Sequence, residues 1–387
     1  MTSPRRIYLD YNASAPVLPM VRDAMVNALA LGNPSSVHFE GRAARAAVEK
    51  ARDQVASLVG GLTKNVIFTS GGTEAANLAL TPNIRLGSDK SGFSRLGICA
   101  VEHPCVLHGH RFPSEAVTIL PVNSHGRLNL VALQEWLAAS PAKPIVALQY
   151  ANNETGIVQP VREAAELVHA AGGILVCDAV QAAGKVPLSF ACGADVFLLS
   201  AHKFGGPKGA GAVVLASERL FIASPHIAGG GQENGRRAGT QNVAAIVGFG
   251  AAAENMSQIP ALRQSFVEAI LRHAPDVVFF GDAGLSGDEA PHLPNTLCFA
   301  VPGTSAETLL IAFDMAGISL SSGSACSSGK VAASHVLRAM LVPEGLSKAA
   351  LRLSFGWATT AEDVSGFETA FAKIMEKANA RKQTQAA

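Results

Sequence analysis

Lys203 is the residue from which the chemistry of this chain is best argued. It stands in SAHKFGGPKGAG, residues 200–211, directly after the apolar run DVFLL and just before a cluster of glycines. An amine at the end of a buried strand, among small residues, could form a Schiff base with an aldehyde cofactor. Taken alone, it could equally be a surface lysine on a turn. Asp178 lies about one helix-and-strand unit upstream, where ILVCDAVQAAG closes another apolar strand. A carboxylate there could keep a pyridine nitrogen protonated, without which such a ring is a poor electron sink. It could also be only a helix cap.

Further upstream, VIFTSGGTEAANLAL runs from a strand through Gly71, Gly72 and Thr73 into a helix. The free N–H groups of a helix start suit a phosphate, although Glu74 in the first turn would satisfy the helix dipole without a ligand. His103, in VEHPCVL, follows another strand end and could stack on a ring or carry a proton; the ordinary alternative is a hydrogen-bonded loop histidine. Asn152 and Asn153 of YANNETG end a strand as ligands or turn formers. Cys326 sits in SLSSGSACSSGKV among serines and glycines with no apolar cover. Exposed, flexible thiols of this kind are the reactive ones.

The elements that must position these residues follow from hydrophobic patterning. Val66–Thr69, Ile98–Val101, Ile145–Gln149, Ile174–Cys177, Val196–Leu199 and Ala212–Leu215 read as strands, rich in Val and Ile and without polar alternation. Helix-period segments separate them, including Ser36–Leu58, Glu74–Leu80 and Val161–Ala171, the last stopped by Gly172 and Gly173. This is the pattern of an α/β protein with a mostly parallel sheet covered on both faces. The glycine-dense GGGQENGRRAGTQN excludes regular structure and precedes a long apolar helix, Val243–Glu254, after which a domain boundary is expected near Pro260. The tail ARKQTQAA is expected to fray.

Bulk properties narrow the class. A chain of 387 residues, 48% hydrophobic and 16% charged, is folded rather than disordered and long enough for one large and one small domain. A net charge of +1 provides no basic field for nucleic acid. No apolar run reaches the roughly 18 residues of a membrane span, and MTSPRRIYLDYN has no apolar leader, so a cytoplasmic protein is expected. The six cysteines, 99, 105, 177, 192, 298 and 326, show no Cys-x-x-Cys pair, and most should be buried thiols in a reducing compartment.

Taken in order, IYLDYNASAPV, GNPSSVHFEGRAAR, FTSGGTEAANLAL, EHPCVL, ANNETGIVQP, DAVQAAGKVPL, SAHKFGGPKGAGA, GGGQENGRRAGTQN, LPNTL, SSGSACSSGKV, VLRAM and LRLSFG span nearly the whole chain. Together they resemble the cysteine desulfurases of the NifS/IscS-like kind, enzymes of the class V aminotransferase group that use pyridoxal 5′-phosphate (PLP). The resemblance implies a fold-type-I PLP-dependent transferase: a mostly parallel seven-stranded sheet covered by helices in residues 16–260, plus a smaller α+β domain from 1–15 and 261–387 that carries a mobile Cys326 loop. It implies that Lys203 is the Schiff-base lysine, Asp178 the partner of the pyridine nitrogen and His103 the stacking ring. Gln181 and Asn153 would contact the ring oxygen or substrate. Gly72, Thr73, Ser200 and His202 would hold the phosphate, with Thr240 donated by the second subunit of a homodimer. Arg352 would grip the substrate carboxylate.

Cys326 would be the nucleophile that takes sulfur from L-cysteine, leaving alanine and a persulfide, and hands it to an iron–sulfur scaffold or another acceptor. That thiol could also touch an iron–sulfur cluster in passing. Other class V enzymes, a selenocysteine lyase among them, are the nearest alternatives; an inactive binding protein and a metalloenzyme are more distant ones. The chain departs from the family pattern at Asn234 and Trp357, where arginines are usual, at Gly205 and Gly206, which replace a bulkier pair, and slightly at Asn12, Ala13 and Ser14.

Overall fold

The computed structural model describes residues 5–88, 92–255, 258–281, 291–322 and 334–386. The large sheet has seven strands: β1 (Val66–Thr69), β2 (Arg95–Cys99), β3 (Val117–Leu120), β4 (Pro144–Gln149), β5 (Ile174–Asp178), β6 (Val196–Ser200) and β7 (Gly211–Leu215), in the order β1-β7-β6-β5-β4-β2-β3. β7 pairs antiparallel with both β1 and β6, and the other neighbours pair parallel. Every strand but β7 therefore points the same way, and their carboxyl ends share one edge, where open α/β sheets bind ligands.

Strands β1, β4, β5, β6 and β7 are buried at every residue. Both faces must be covered, which explains their unbroken apolar sequences. β3 is the strand that patterning missed. It lies at the sheet edge, and Thr118 and Ile119 face solvent, so it lacks the buried signature of its neighbours.

Helices α1 (Pro19–Ala28), α2 (Phe39–Leu58), α3 (Gly72–Ala79), α4 (Val161–Ala170) and α5 (Val243–Glu254) cover the sheet. α2 starts at Phe39 rather than Ser36 because the His38 side chain caps it, accepting from Gly41 N–H. α4 stops at Gly172, whose φ of +70° suits a residue without a side chain. α5 is apolar all round because it packs on α1 and α2 while lying in the main core. The expectation of no regular structure in the glycine-dense segment is corrected at one turn: Gln232–Gly235 forms a single 3₁₀ turn. There Glu233 and Asn234 take φ values of +50° and +56°. Asparagine tolerates that left-handed region better than most residues, which rationalises Asn234.

A second sheet joins β8 (Val278–Phe279), β9 (Thr296–Ala300), β10 (Ser321–Ser322) and β11 (Ala350–Ser354) in the order β8-β9-β11-β10. Its own core holds Phe266, Phe299, Phe313, Phe355, Phe367 and Phe371. Phe313 stacks on Phe367 and Phe371 at centroid distances of 5.6 and 6.0 Å. The N-terminal residues join this core through Leu9, and Ile7–Tyr8 pairs with Ile318–Ser319. The last helix, Ala361–Ala386, runs through nearly all of the tail.

Candidate active site

The carboxyl edge of the large sheet holds a cavity of about 220 Å³ lined by Gly72, Thr73, His103, Asn153, Asp178, Gln181, Ser200, His202 and Lys203, together with Cys105 and Gln149. Each arrives by a short route: Asp178 and Ser200 end β5 and β6, Gly72 and Thr73 open α3 after β1, and His103 follows β2. The amine and the acid singled out in the sequence thus line one cavity.

Lys203 Nζ donates to the carbonyls of Asn12 at 2.7 Å and Ala13 at 3.1 Å. Asp178 Oδ1 accepts from Val180 N–H at 2.9 Å, while Oδ2 takes no hydrogen bond from the described residues. Burial raises the Asp178 carboxyl to about 6, against the pull of the Val180 N–H and of Lys203. Burial, helped by Lys203 and His335, lowers His103 to about 4. Its ring is therefore neutral at physiological pH. Nδ1 accepts from Cys105 N–H at 3.2 Å, which leaves the ring proton on Nε2. His202 is likewise lowered to about 4, by burial and then by Lys203 and Lys208, and its Nδ1 pairs with Ser14 Oγ at 3.2 Å.

α3 begins on a glycine, a poor helix former, and the packing shows why. A Cβ at Gly72 would come within 3.1 Å of Val180 Cγ2 and 3.6 Å of Ser200 Cβ, crowding the space beside Thr73. An adjoining hollow shares Gly72, Thr73, Ser200 and His202 with the main cavity and adds Lys208. Helix-start N–H groups, two hydroxyls and a lysine fit a phosphate. An amine, a carboxylate with a spare oxygen, a neutral imidazole and this cradle together fit PLP.

Two sequence-assigned residues stand elsewhere. Arg352, on β11, does not line the cavity. Its guanidinium donates to Asp10 Oδ1 at 2.7 Å and to the carbonyl of the cavity residue Asn153 at 3.1 Å, so it stands directly behind the wall. Thr240 is exposed and lies outside the cavity of its own chain. Cys326 lies outside the described residues. Of the described residues that flank its segment, Ser321 pairs with Arg352, and Ser334 Oγ donates to Glu154 Oε2 at 2.5 Å.

The departures from the family pattern also find places. Trp357, packed against the main core, donates from Nε1 to the Pro16 carbonyl at 3.1 Å, in the stretch that follows Asn12. Gly205 has a φ of +91°, and a Cβ there would approach Leu18 Cγ to 2.7 Å; one at Gly206 would meet Ala201 Cβ at 2.8 Å. A bulkier pair does not fit this packing.

Sequence reasoning missed Asn12 and Lys185 as site residues. Asn12 is 1% exposed. Its carbonyl accepts from both Lys203 Nζ and Gln181 Nε2. Its side chain accepts from Lys185 and donates to Asn153 O and Thr296 Oγ1. The signal available was only that Asn12 and Lys185 fall within the recognisable segments. Among the described residues, no group of three or more His, Cys, Asp or Glu could hold a metal ion, and no helix is long and apolar enough to cross a membrane.

A lysine and a buried acid facing one cavity beside a phosphate cradle, at the carboxyl edge of a parallel sheet, define a PLP-dependent enzyme. The family model described as Aminotransferase class-V matches residues 7–367, and the chain belongs to that family. It is 42% identical to a cysteine desulfurase of Cereibacter sphaeroides, with 92% of each chain covered. It is 35% identical to the cysteine desulfurase IscS of Dictyoglomus turgidum, covering 96% of this chain and 95% of the other. Among solved structures, a NifS-like protein from Rickettsia africae superposes with a TM-score of 0.83 at 32% identity, covering 96% of this chain and all of the other. SspA, solved in complex with cysteine, superposes with a TM-score of 0.74 at 27% identity, covering 92% of this chain and all of the other.

Proposed function

We propose that this chain is a cysteine desulfurase, converting L-cysteine to L-alanine and passing the sulfur, as a persulfide on Cys326, to an acceptor protein that builds iron–sulfur clusters or other thio-cofactors. The observation that carries the reading is the shared cavity of Lys203 and Asp178 with its phosphate cradle. PLP, when bound, withdraws electrons from the substrate carbon skeleton and so weakens the carbon–sulfur bond.

The chain's own residues divide the remaining work. Lys203 tethers the cofactor through Nζ. Once displaced, its amine can take and return a proton, steered by the Asn12 and Ala13 carbonyls. Asp178 Oδ2 would hold the proton of the ring nitrogen, and that ion pair would favour the carboxylate. His103, neutral and with its proton on Nε2, would stack against the ring. Gly72, Thr73, Ser200 and His202 hold the phosphate, and Thr240, exposed on its own chain, reaches the site of the partner in a homodimer. Gln181 and Asn153 contact the ring oxygen or substrate. Arg352 is the substrate-carboxylate ligand; turning from Asp10 towards the cavity would give it a free fork.

The Cys326 thiolate attacks the substrate sulfur. A sulfur–sulfur bond forms as the carbon–sulfur bond breaks, its electron pair returns to the carbon skeleton, and protonation of that carbon gives alanine. While sulfur is passed on, the thiolate can also ligate iron of a forming cluster. This reading places the enzyme in the cytoplasm and divides it into a large unit, 16–260, and a small one, 1–15 with 261–387.

The test is mass spectrometry of purified holoenzyme after addition of L-cysteine. One additional sulfur on Cys326, accompanied by alanine, is expected. Cys326→Ser should retain the cofactor and lose the persulfide. Release of sulfide at the wild-type rate by that variant would overturn the assignment.

A further inference from the structure

Lys185 is the residue of this region that the mechanism leaves unused. It follows the turn after β5. Its Nζ lies 2.6 Å from Gln181 Oε1 and 2.7 Å from Asn12 Oδ1. No carboxylate pairs with it among the described residues. Burial first, then Lys203 and Arg352, pushes its amine well below the ordinary lysine range. The residue is half-buried and borders a small hollow shared with Lys203 and Trp357. A lysine placed this way costs stability, and an apolar side chain of similar length would avoid that cost. Its hydrogens have a definite use. The amine carries an N–H bond for each of the two side-chain oxygens that stand within reach.

We propose that Lys185 is a positioning residue that sets which end of the Gln181 amide faces the cofactor. The inference rests on the reading of Gln181 as a partner of the ring oxygen. Gln181 Nε2 already donates to the Asn12 carbonyl at 2.9 Å. With Oε1 engaged by Lys185, the group left to the cavity is the second N–H of Nε2, a donor. Rotating the amide by half a turn would set Oε1 against the Asn12 carbonyl, acceptor against acceptor, and would remove the oxygen to which Lys185 donates. A donor there favours a negatively charged ring oxygen. Through the second bond Lys185 also holds the Asn12 side chain, whose own carbonyl receives Lys203. Fixed donors of this kind act without reorganisation when charge develops.

The test is the pH midpoint of the visible absorption of the resting holoenzyme, compared among wild type, Lys185→Met, Gln181→Ala and the double variant. A lost donor to an anionic oxygen should raise the midpoint by about one pH unit. Gln181→Ala and Lys185→Met are both expected to raise it, and the double variant to raise it no further than Gln181→Ala alone, because the two act through one amide. A wild-type midpoint in Lys185→Met, with only a lower melting temperature, would make the lysine merely structural and overturn the proposal. Additive shifts would assign it a direct charge effect and overturn it equally. An unshifted Gln181→Ala would remove the reading beneath it. If Lys185→Met does not fold, Lys185→Gln, which can serve one oxygen but not both, is expected to shift the midpoint in the same direction, and no shift would count against the proposal.

Discussion

Glu154 offers a stability prediction whose sign depends on which of two forces prevails. Its carboxyl is 3% exposed and accepts from Ser334 Oγ, while that hydroxyl in turn caps the helix at His335–Ala339 by accepting from Leu337 N–H. Burial raises Glu154 to about 7 from an ordinary value of 4.5, with Ser334 and Arg352 pulling the other way. A folded-state value above the unfolded one means that the native protein binds the proton more tightly. The stability this confers is complete below pH 4.5, declines as pH rises, and is lost by pH 7. A gap of about 2.5 pH units, at about 1.4 kcal/mol each, amounts to about 3 kcal/mol.

Glu154→Gln removes the titration and retains an acceptor for Ser334. Urea unfolding of wild type and variant apoprotein, at one protein concentration from pH 4.5 to 8.5, should show wild type losing about 3 kcal/mol relative to the variant across the range. Subtracting the two curves cancels the other titrating groups, Asp178, His103 and His202 among them. A difference that stays flat would refute the reasoning. A difference of opposite slope would show that attraction to Arg352 outweighs burial.

Other consequences can be checked alongside. Asp178→Asn should keep the fold and the visible cofactor band while slowing alanine formation on the order of 10²-fold or more, since the ring-nitrogen proton loses its counter-charge; an unchanged turnover would mean that Asp178 does not serve that nitrogen. Glu233→Gln should cost about 3–5 kcal/mol in urea unfolding. That substitution leaves the buried Arg52 guanidinium without the buried carboxylate that now meets it at 2.5 and 2.9 Å, and with only the more exposed Glu49 at 3.1 Å. Gly205→Ala should lower stability by about 1–3 kcal/mol in calorimetry, because a Cβ at φ +91° would press on Leu18.

The parts of the fold legible in the sequence were those whose signal is local. β1, buried at all four positions, was read at its true ends, Val66–Thr69, because a strand covered on both faces must be apolar throughout. Asp178 and Lys203 were legible because each closes or follows such a strand. β3 was not, since an edge strand with two exposed residues carries neither pattern. The start of α3 was read at Glu74 because propensity argues against beginning a helix on Gly72, where a Cβ would crowd Val180. Asn12 and Lys185 were hidden for a different reason. Lys185 meets Asn12 across 173 residues of sequence, and no periodicity reports such a contact. Trp357 departs from the family pattern, and the contact of its indole N–H with the Pro16 carbonyl, 341 residues away, has no local signal.

The account turns on Lys203 being the amine that carries the cofactor, although Lys185 and Lys208 stand close by. Borohydride reduction of the holoenzyme, followed by proteolysis and mass spectrometry, reads that directly. The pyridoxyl group should be found on the peptide containing Lys203, at that residue. Its recovery on Lys185 or Lys208, or on no lysine of this cavity, would contradict the account.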